Sequence, residues 1–309
     1  MNRRSLMTMA TTAAASGALL ATPGAAEARP RGLRRPFVER PDGTEVYVKD
    51  WGRGRPVFFA HSAGVSSDIW SYQMAHLVRQ GFRCVAFDRR GHGRSSAPGT
   101  GYDYDTLADD LGAVIDTLDL RDVTLVGHSM GCGEITRYLT RHGASRVRNV
   151  ALVAPTLPFF LQTADNPDGI PRAYFETLRA QWMTDYPLWL DENTPPFFLP
   201  DTSRGMIQWG NQMAYATALH AALACNVSVT ETDFRAELPR IRVPTLIVHG
   251  DKDVSCPLAI TGVPTAKLMP NARLVVYEGA PHGLPLTHIK RLNDELTRFV
   301  ASGTAEAIR

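Results

Sequence analysis

The chain has 309 residues, 44% of them apolar, with 33 Lys and Arg against 31 Asp and Glu. This near-neutral balance, without long basic blocks, excludes a nucleic-acid binder driven by composition. Plentiful aromatic and branched residues exclude a disordered chain. Four cysteines in a chain this long do not make a disulfide scaffold. No Cys/His spacing matches a structural zinc site.

Residues 1–28 read as an export signal. Arg3 and Arg4 precede a stretch from Ser5 to Ala26 without charge, and Ala26-Glu27-Ala28 is a small-x-small cleavage pattern. The paired arginines resemble a twin-arginine signal. A membrane anchor needs about 20 strongly apolar residues, and this stretch has too many Thr, Ser and Gly. Cleavage near Ala28 predicts a periplasmic or secreted protein with no stable membrane anchor. Such a compartment permits a disulfide, but Cys84, Cys132, Cys225 and Cys256 each also read as small buried hydrophobes.

Thr44 to Asp50 alternates and predicts an edge strand. Short continuous apolar runs follow at Pro56–His61, Arg83–Asp88, Val123–Gly127, Val150–Val153, Pro244–His249 and Arg273–Tyr277. Runs without alternation suit a sheet buried on both faces. Helical periodicity occupies Ile69–Gln80, Tyr104–Leu120, Met130–His142 and Ile289–Val300. Strands alternating with helices predict an α/β fold: a mostly parallel sheet with helices on both faces. Residues 157–235 break the rhythm. They hold no buried-strand run and carry 12 of the chain's 26 Phe, Trp and Tyr. They read as a helical lid inserted into a core formed by residues 29–156 and 236–309.

Gly127-His128-Ser129-Met130-Gly131 follows a buried strand and opens a helix. Gly-x-Ser-x-Gly in that context is a nucleophile elbow. A sharp strand-to-helix turn holds the serine in a strained backbone and aims the helix N-terminus at any anion formed there. Ser129 is the candidate nucleophile. It needs a base, and His282 lies in the turn after the last strand. The base needs a carboxylate to fix its tautomer. Asp251 and Asp253 both follow the preceding strand; Asp253 is the choice, because similar sequences place the acid at the end of Gly-x-x-Asp before a proline, here Pro257. Asp251 reads as a turn cap. The oxyanion hole takes one N–H from Met130 and a second from the His61-Ser62-Ala63-Gly64 loop, assigned to Ala63. His128, Phe159, Phe160 and Trp189 are candidate pocket residues, although most lid aromatics suit the lid's own small core. His61 and His249 read as structural, and His76, His92, His142, His220 and His288 as surface or packing residues. No metal is expected.

The chain resembles an α/β-hydrolase from about residue 36 to residue 300. Phe87-Asp88-Arg89-Arg90-Gly91-His92-Gly93-Arg94-Ser95 is similar to that superfamily's Asp-x-Arg-Gly-x-Gly-x-Ser turn. Within it, Gly127 to Glu134 resembles serine esterases known as cofactor-free haloperoxidases or perhydrolases. Asp68-Ile69-Trp70, Thr230 to Phe234 and Gly279 to Leu284 fit the same branch. The resemblance implies a Ser129/Asp253/His282 triad, no cofactor, esterase activity on a small-molecule acyl substrate, and accompanying peracid formation. Ser62-Ala63-Gly64 departs from the branch's His-Gly-aromatic sequence and lacks its following proline, which argues against peracid chemistry. Cys132 replaces a usual Gly.

The expected reaction is ester hydrolysis through an acyl-enzyme on Ser129. Alternatives on the same triad are haloperoxidase or perhydrolase activity and lactone or carbon–carbon bond hydrolysis. A non-catalytic ligand-binding module is the alternative from another class, and it fits poorly with three triad residues in place. Nothing in the sequence bears on oligomeric state.

Overall fold

The computed structural model describes residues 35–303, so the expected export signal lies outside the described residues. Eight strands form one sheet: β1 Phe37–Glu39, β2 Glu45–Gly52, β3 Pro56–Ala60, β4 Arg83–Phe87, β5 Val123–His128, β6 Val147–Val153, β7 Thr245–Gly250 and β8 Ala272–Tyr277. Their order is β1-β2-β4-β3-β5-β6-β7-β8. β2 pairs antiparallel with β1 and β4, and every pairing from β4 onward is parallel. The alternating strand expected at the edge is therefore one place in. The three-residue β1 covers it, a strand too short for a periodicity signal.

The helices are α1 Ser71–Arg79, α2 Tyr104–Thr117, α3 Met130–Arg141, α4 Arg172–Asn193, α5 Arg204–Tyr215, α6 Leu219–Glu231, α7 Gly262–Leu268, α8 Leu284–Thr287 and α9 Ile289–Ser302. Every residue of β5 and β7 is buried, as their unbroken apolar runs require. Successive side chains of a strand point to opposite faces, so neighbours serve different cores. Phe58, Val85 and Leu125 pack with Leu111 of α2 and Ile135 of α3. Val57, Phe59, Cys84 and Val126 pack with Met74 of α1 and Leu296 and Phe299 of α9.

The turn after β4 is a bracket of polar bonds. Asp88 accepts the N–H groups of Ser67 and Arg94, both at 2.9 Å. Arg90 grips both carboxylate oxygens of Asp110 on α2, at 2.7 and 2.9 Å. A Cβ on Gly93 would stand 2.3 Å from the Asp88 carboxylate, so glycine is required there.

Between β6 and β7 the chain carries α4, α5 and α6 and no strand of the sheet. α4 leaves helical geometry at Asp185. Pro187, two residues on, lacks an N–H and disrupts the helical ladder there. Among the described residues no helix is long and apolar enough to cross a membrane.

Candidate active site

Ser129 joins β5 to α3 with φ +55° and ψ −118°. A non-glycine residue in that region is strained by roughly 1–3 kcal/mol. Ser129 N–H is tied to the Val153 carbonyl at 2.9 Å, and close packing of bare backbone holds the turn. A Cβ on Gly131 would stand 2.5 Å from the Ala60 carbonyl oxygen, and one on Gly127 would stand 2.9 Å from the backbone of Gly131 and Cys132. Only glycine lets α3 start this close to β3.

The turns after β7 and β8 bring Asp253 and His282 together. His282 Nδ1 donates to Asp253 Oδ2 at 2.6 Å. The other carboxylate oxygen accepts the Cys256 N–H at 2.8 Å. His249 adds a third donor. Its Nε2 lies 2.8 Å from the Cys256 carbonyl and 3.2 Å from Asp253 Oδ2. His249 Nδ1 has no hydrogen-bond partner, so the proton belongs on Nε2, where two acceptors wait. Burial by itself would raise the Asp253 carboxyl, but His282, His249 and the Cys256 N–H hold it well below the usual carboxylate range. Asp251 lies outside this arrangement and accepts the Gly279 N–H at 2.7 Å, steadying the turn that leads to His282.

Cys256 links the two halves of the site. Burial pushes its thiol well above its ordinary pKa, partly opposed by the neighbouring Ser129 side chain. Its sulfur, a nitrogen of His282 and a carboxylate oxygen of Asp253 lie within 4.8 Å of one another. Among the described residues these three form the group whose atom types and spacing would suit a soft cation. With Asp253 and His282 already bonded to each other, an ion there would break that hydrogen bond.

His128 is fully buried and donates from Nε2 to the His282 carbonyl at 3.0 Å. The two rings lie 4.8 Å apart. Burial, reinforced by His282, lowers His128 to about 3, so it stays neutral and carries no charge next to the base. Phe159 and Phe160 pack with Cys256, Leu161 and Phe175. Trp189 instead stacks with Tyr186 and Trp182 at centroid distances of 6.4 and 5.0 Å, in an aromatic cluster of α4.

Three residues make contacts in this region that the sequence reading did not specify. Phe197 contacts the rings of both His128 and His282, at 6.3 and 5.6 Å, and its carbonyl accepts the Gly283 N–H at 3.0 Å. Nothing local marks it among the lid aromatics. Cys256 carried one signal, its place three residues after Asp253. His92, expected at the surface or in packing, is fully buried and accepts the Gly64 N–H at 3.2 Å. Its position in the glycine-rich turn after β4 was the available clue.

Residues 55–289 match the family described as the alpha/beta hydrolase fold. The chain belongs to this family. This α/β hydrolase is 43% identical over 274 residues to a non-heme haloperoxidase of Rhodococcus erythropolis, covering 86% of this chain and all of that protein. It is 37% identical over 279 residues to a bifunctional esterase/perhydrolase of Acinetobacter calcoaceticus, covering 86% of this chain and 99% of that one. Among solved structures, an esterase of Exiguobacterium antarcticum superposes with a TM-score of 0.84 at 33% identity, over 86% of this chain and 99% of that one.

Proposed function

We propose that this α/β hydrolase cleaves carboxylic esters of small molecules through an acyl-enzyme on Ser129. The carrying observation is the buried Asp253–His282 bond of 2.6 Å beside a strained, helix-initiating serine. The esterase and esterase/perhydrolase relatives support it.

His282 takes the Ser129 hydroxyl proton as the oxygen adds to the ester carbonyl. The carbonyl electrons move onto oxygen, and the Met130 and Ala63 N–H groups receive the oxyanion. Met130 is the first residue of α3, where an N–H has no partner within the helix. Asp253, acceptor to His282 Nδ1, stabilises the imidazolium. Collapse breaks the C–O bond, and His282 protonates the leaving alcohol. Water, deprotonated by His282, then releases the acid. His128, Phe159, Phe160 and Trp189 are proposed to border the acyl pocket, with residues 157–235 as a helical cap on a core of residues 29–156 and 236–309. Residues 1–28 are proposed to direct export, with cleavage near Ala28.

The second reading is perhydrolysis, favoured by the haloperoxidase and perhydrolase relatives. Hydrogen peroxide would replace water in the second step and leave as a peracid. It needs no cofactor. The test is hydrolysis of p-nitrophenyl esters from acetate to octanoate, then iodide oxidation from acetate and hydrogen peroxide. Ester turnover that vanishes in Ser129→Ala is expected. Turnover surviving in that variant would remove Ser129 as nucleophile. Iodide oxidation that depends on both Ser129 and acetate would establish the second reading.

A further inference from the structure

The loop after β3 is gripped from behind. The Ala60 carbonyl accepts the Trp70 indole N–H at 3.3 Å. Arg89, in the turn after β4, donates from Nη2 to the His61 carbonyl at 2.6 Å and from Nη1 to the Ser62 carbonyl at 3.1 Å. His61 adds its own ring. Its Nε2 accepts the Arg89 backbone N–H at 2.9 Å, so its proton sits on Nδ1, which donates to the Ser62 carbonyl at 2.6 Å. The Ser62 oxygen therefore has two donors, one of them charged.

The Ser62 carbonyl and the Ala63 N–H are the two ends of one planar trans peptide and point in opposite directions. Pinning the oxygen fixes where the N–H aims. Among the described residues no protein group accepts the Ala63 N–H. A cation on the oxygen also draws electron density along the peptide and strengthens the N–H as a donor. The guanidinium is fully buried, and its Nε donates to Glu134. Glu134 lies in α3, whose first N–H belongs to Met130. The ion pair thus references the loop holding one N–H to the helix holding the other.

We infer that Arg89 is a positioning residue for the oxyanion hole, acting through the Ser62–Ala63 peptide. The inference rests on the reading of Ala63 as an oxyanion donor. It assigns a fully buried ion pair a task in the reaction beyond holding the fold.

Arg89→Met alone would strand the Glu134 carboxylate, so the test uses Arg89→Met/Glu134→Leu, an apolar pair of the kind that often leaves stability unchanged. Arg89→Lys is the second variant; it keeps the charge next to Glu134 but not the fork that reaches two carbonyls. A third protein carries lactic acid in place of Ala63, which removes only the N–H. The readouts are kcat, KM and inhibition by phenylboronic acid, whose tetrahedral adduct on Ser129 places an oxygen where the oxyanion forms. Loss of one oxyanion donor lowers kcat by about 10²–10³. The double variant is expected to lose about 10–100-fold in kcat, with KM changed by less than about twofold and boronate affinity weakened in step. Arg89→Lys is expected to fall between it and the parent.

Combined with the lactic-acid substitution, the Arg89 changes should produce no further loss, because the N–H they act on is gone. A full additional loss in that background would assign the pair to stability alone and overturn the inference. So would parent-like kcat and boronate affinity in both Arg89 variants while the lactic-acid protein is slow, an outcome that leaves the Ala63 reading intact. An unchanged lactic-acid protein would overturn the Ala63 reading and the inference with it. Should the double variant not fold, the Arg89→Lys series decides on the same criteria.

Discussion

The strand-end turns and the helical segment between β6 and β7 hold their side chains by different means. In the turns, buried polar groups hold one another: Asp253 has donors from His282, His249 and Cys256, and the His61 and Ser62 carbonyls have Arg89. In the helical segment the ties are ring contacts such as Trp182–Tyr186–Trp189 and exposed polar pairs such as Arg172–Glu231 and Tyr215–Asp191, and large apolar side chains remain exposed, among them Tyr174, Met183 and Leu188. A buried polar network has one satisfied arrangement and a high cost for any other. The comparison leads us to propose that reacting groups belong to the region held by buried polar bonds, which we term rigid, and substrate choice to the helical segment, which we term adaptable.

The sharpest way to break this comparison is at the reacting groups. Ser129→Ala is expected to lower ester turnover by roughly 10³–10⁶-fold with little change in folding. Asp253→Asn is expected to cost about 10⁴-fold, since the amide favours the wrong His282 tautomer. Asp251→Asn should retain most activity, because Asp251 serves the Gly279 turn. Equal losses from the two, in steady-state assays on one ester, would show the acid misassigned.

Next is the packing that holds the Ser129 turn. Gly131→Ala puts a methyl group 2.5 Å from the Ala60 oxygen. It is expected to destabilise by about 1–3 kcal/mol and to slow turnover, because relief means moving α3 away from the β3 loop. Urea unfolding read beside kcat checks both, and an unchanged midpoint would break the argument.

A smaller effect is expected from acid. His61, His92 and His128 are held neutral by burial, His92 and His128 at about 3 and His61 well below its ordinary value. In the unfolded chain each titrates near 6.5. Between those values the unfolded state binds protons that the folded state does not, so stability falls as pH drops below about 6.5. Each group contributes up to about 1.4 kcal/mol per pH unit. The depressed Asp253 adds its own loss only at lower pH, beneath the unfolded carboxylate value near 3.9. Unfolding free energies at pH 7, 6 and 5 should decline with increasing slope; a flat profile would mean these histidines are not held neutral.

The smallest effects belong to the lid. Leu188→Ser and Met183→Ser, at exposed positions, should change stability by no more than about 0.5 kcal/mol. Trp189→Ala should alter the preference along the p-nitrophenyl ester series more than it alters the best kcat. A uniform drop across the series would move Trp189 from the adaptable region into the rigid one.

Much of the core was legible because its signals are local. Unbroken apolar runs such as Thr245–Gly250 become strands, because a strand buried on both faces cannot alternate. Gly127 and Gly131 announced the elbow, because only glycine permits that approach. The strand β1 and the short helices α7 and α8 went unread, because three to seven residues carry too little periodicity. Phe197 was legible only as one lid aromatic among several: it touches His128 and His282 from far along the chain, and no residue near it signals that return.

Sequence by itself therefore determined the class of fold, the nucleophile elbow and the identity of the acid and base candidates, since each rests on backbone geometry that particular residues alone permit. Tertiary structure decided which groups support them. That His249 shares Asp253, that the Cys256 sulfur lies within 4.8 Å of ligand atoms of Asp253 and His282, and that Arg89 holds the peptide bearing the Ala63 N–H depend on where separate turns meet in a buried, low-dielectric interior. There, an unpaired polar group is costly, so most take a partner that the fold brings within hydrogen-bond distance from elsewhere in the chain.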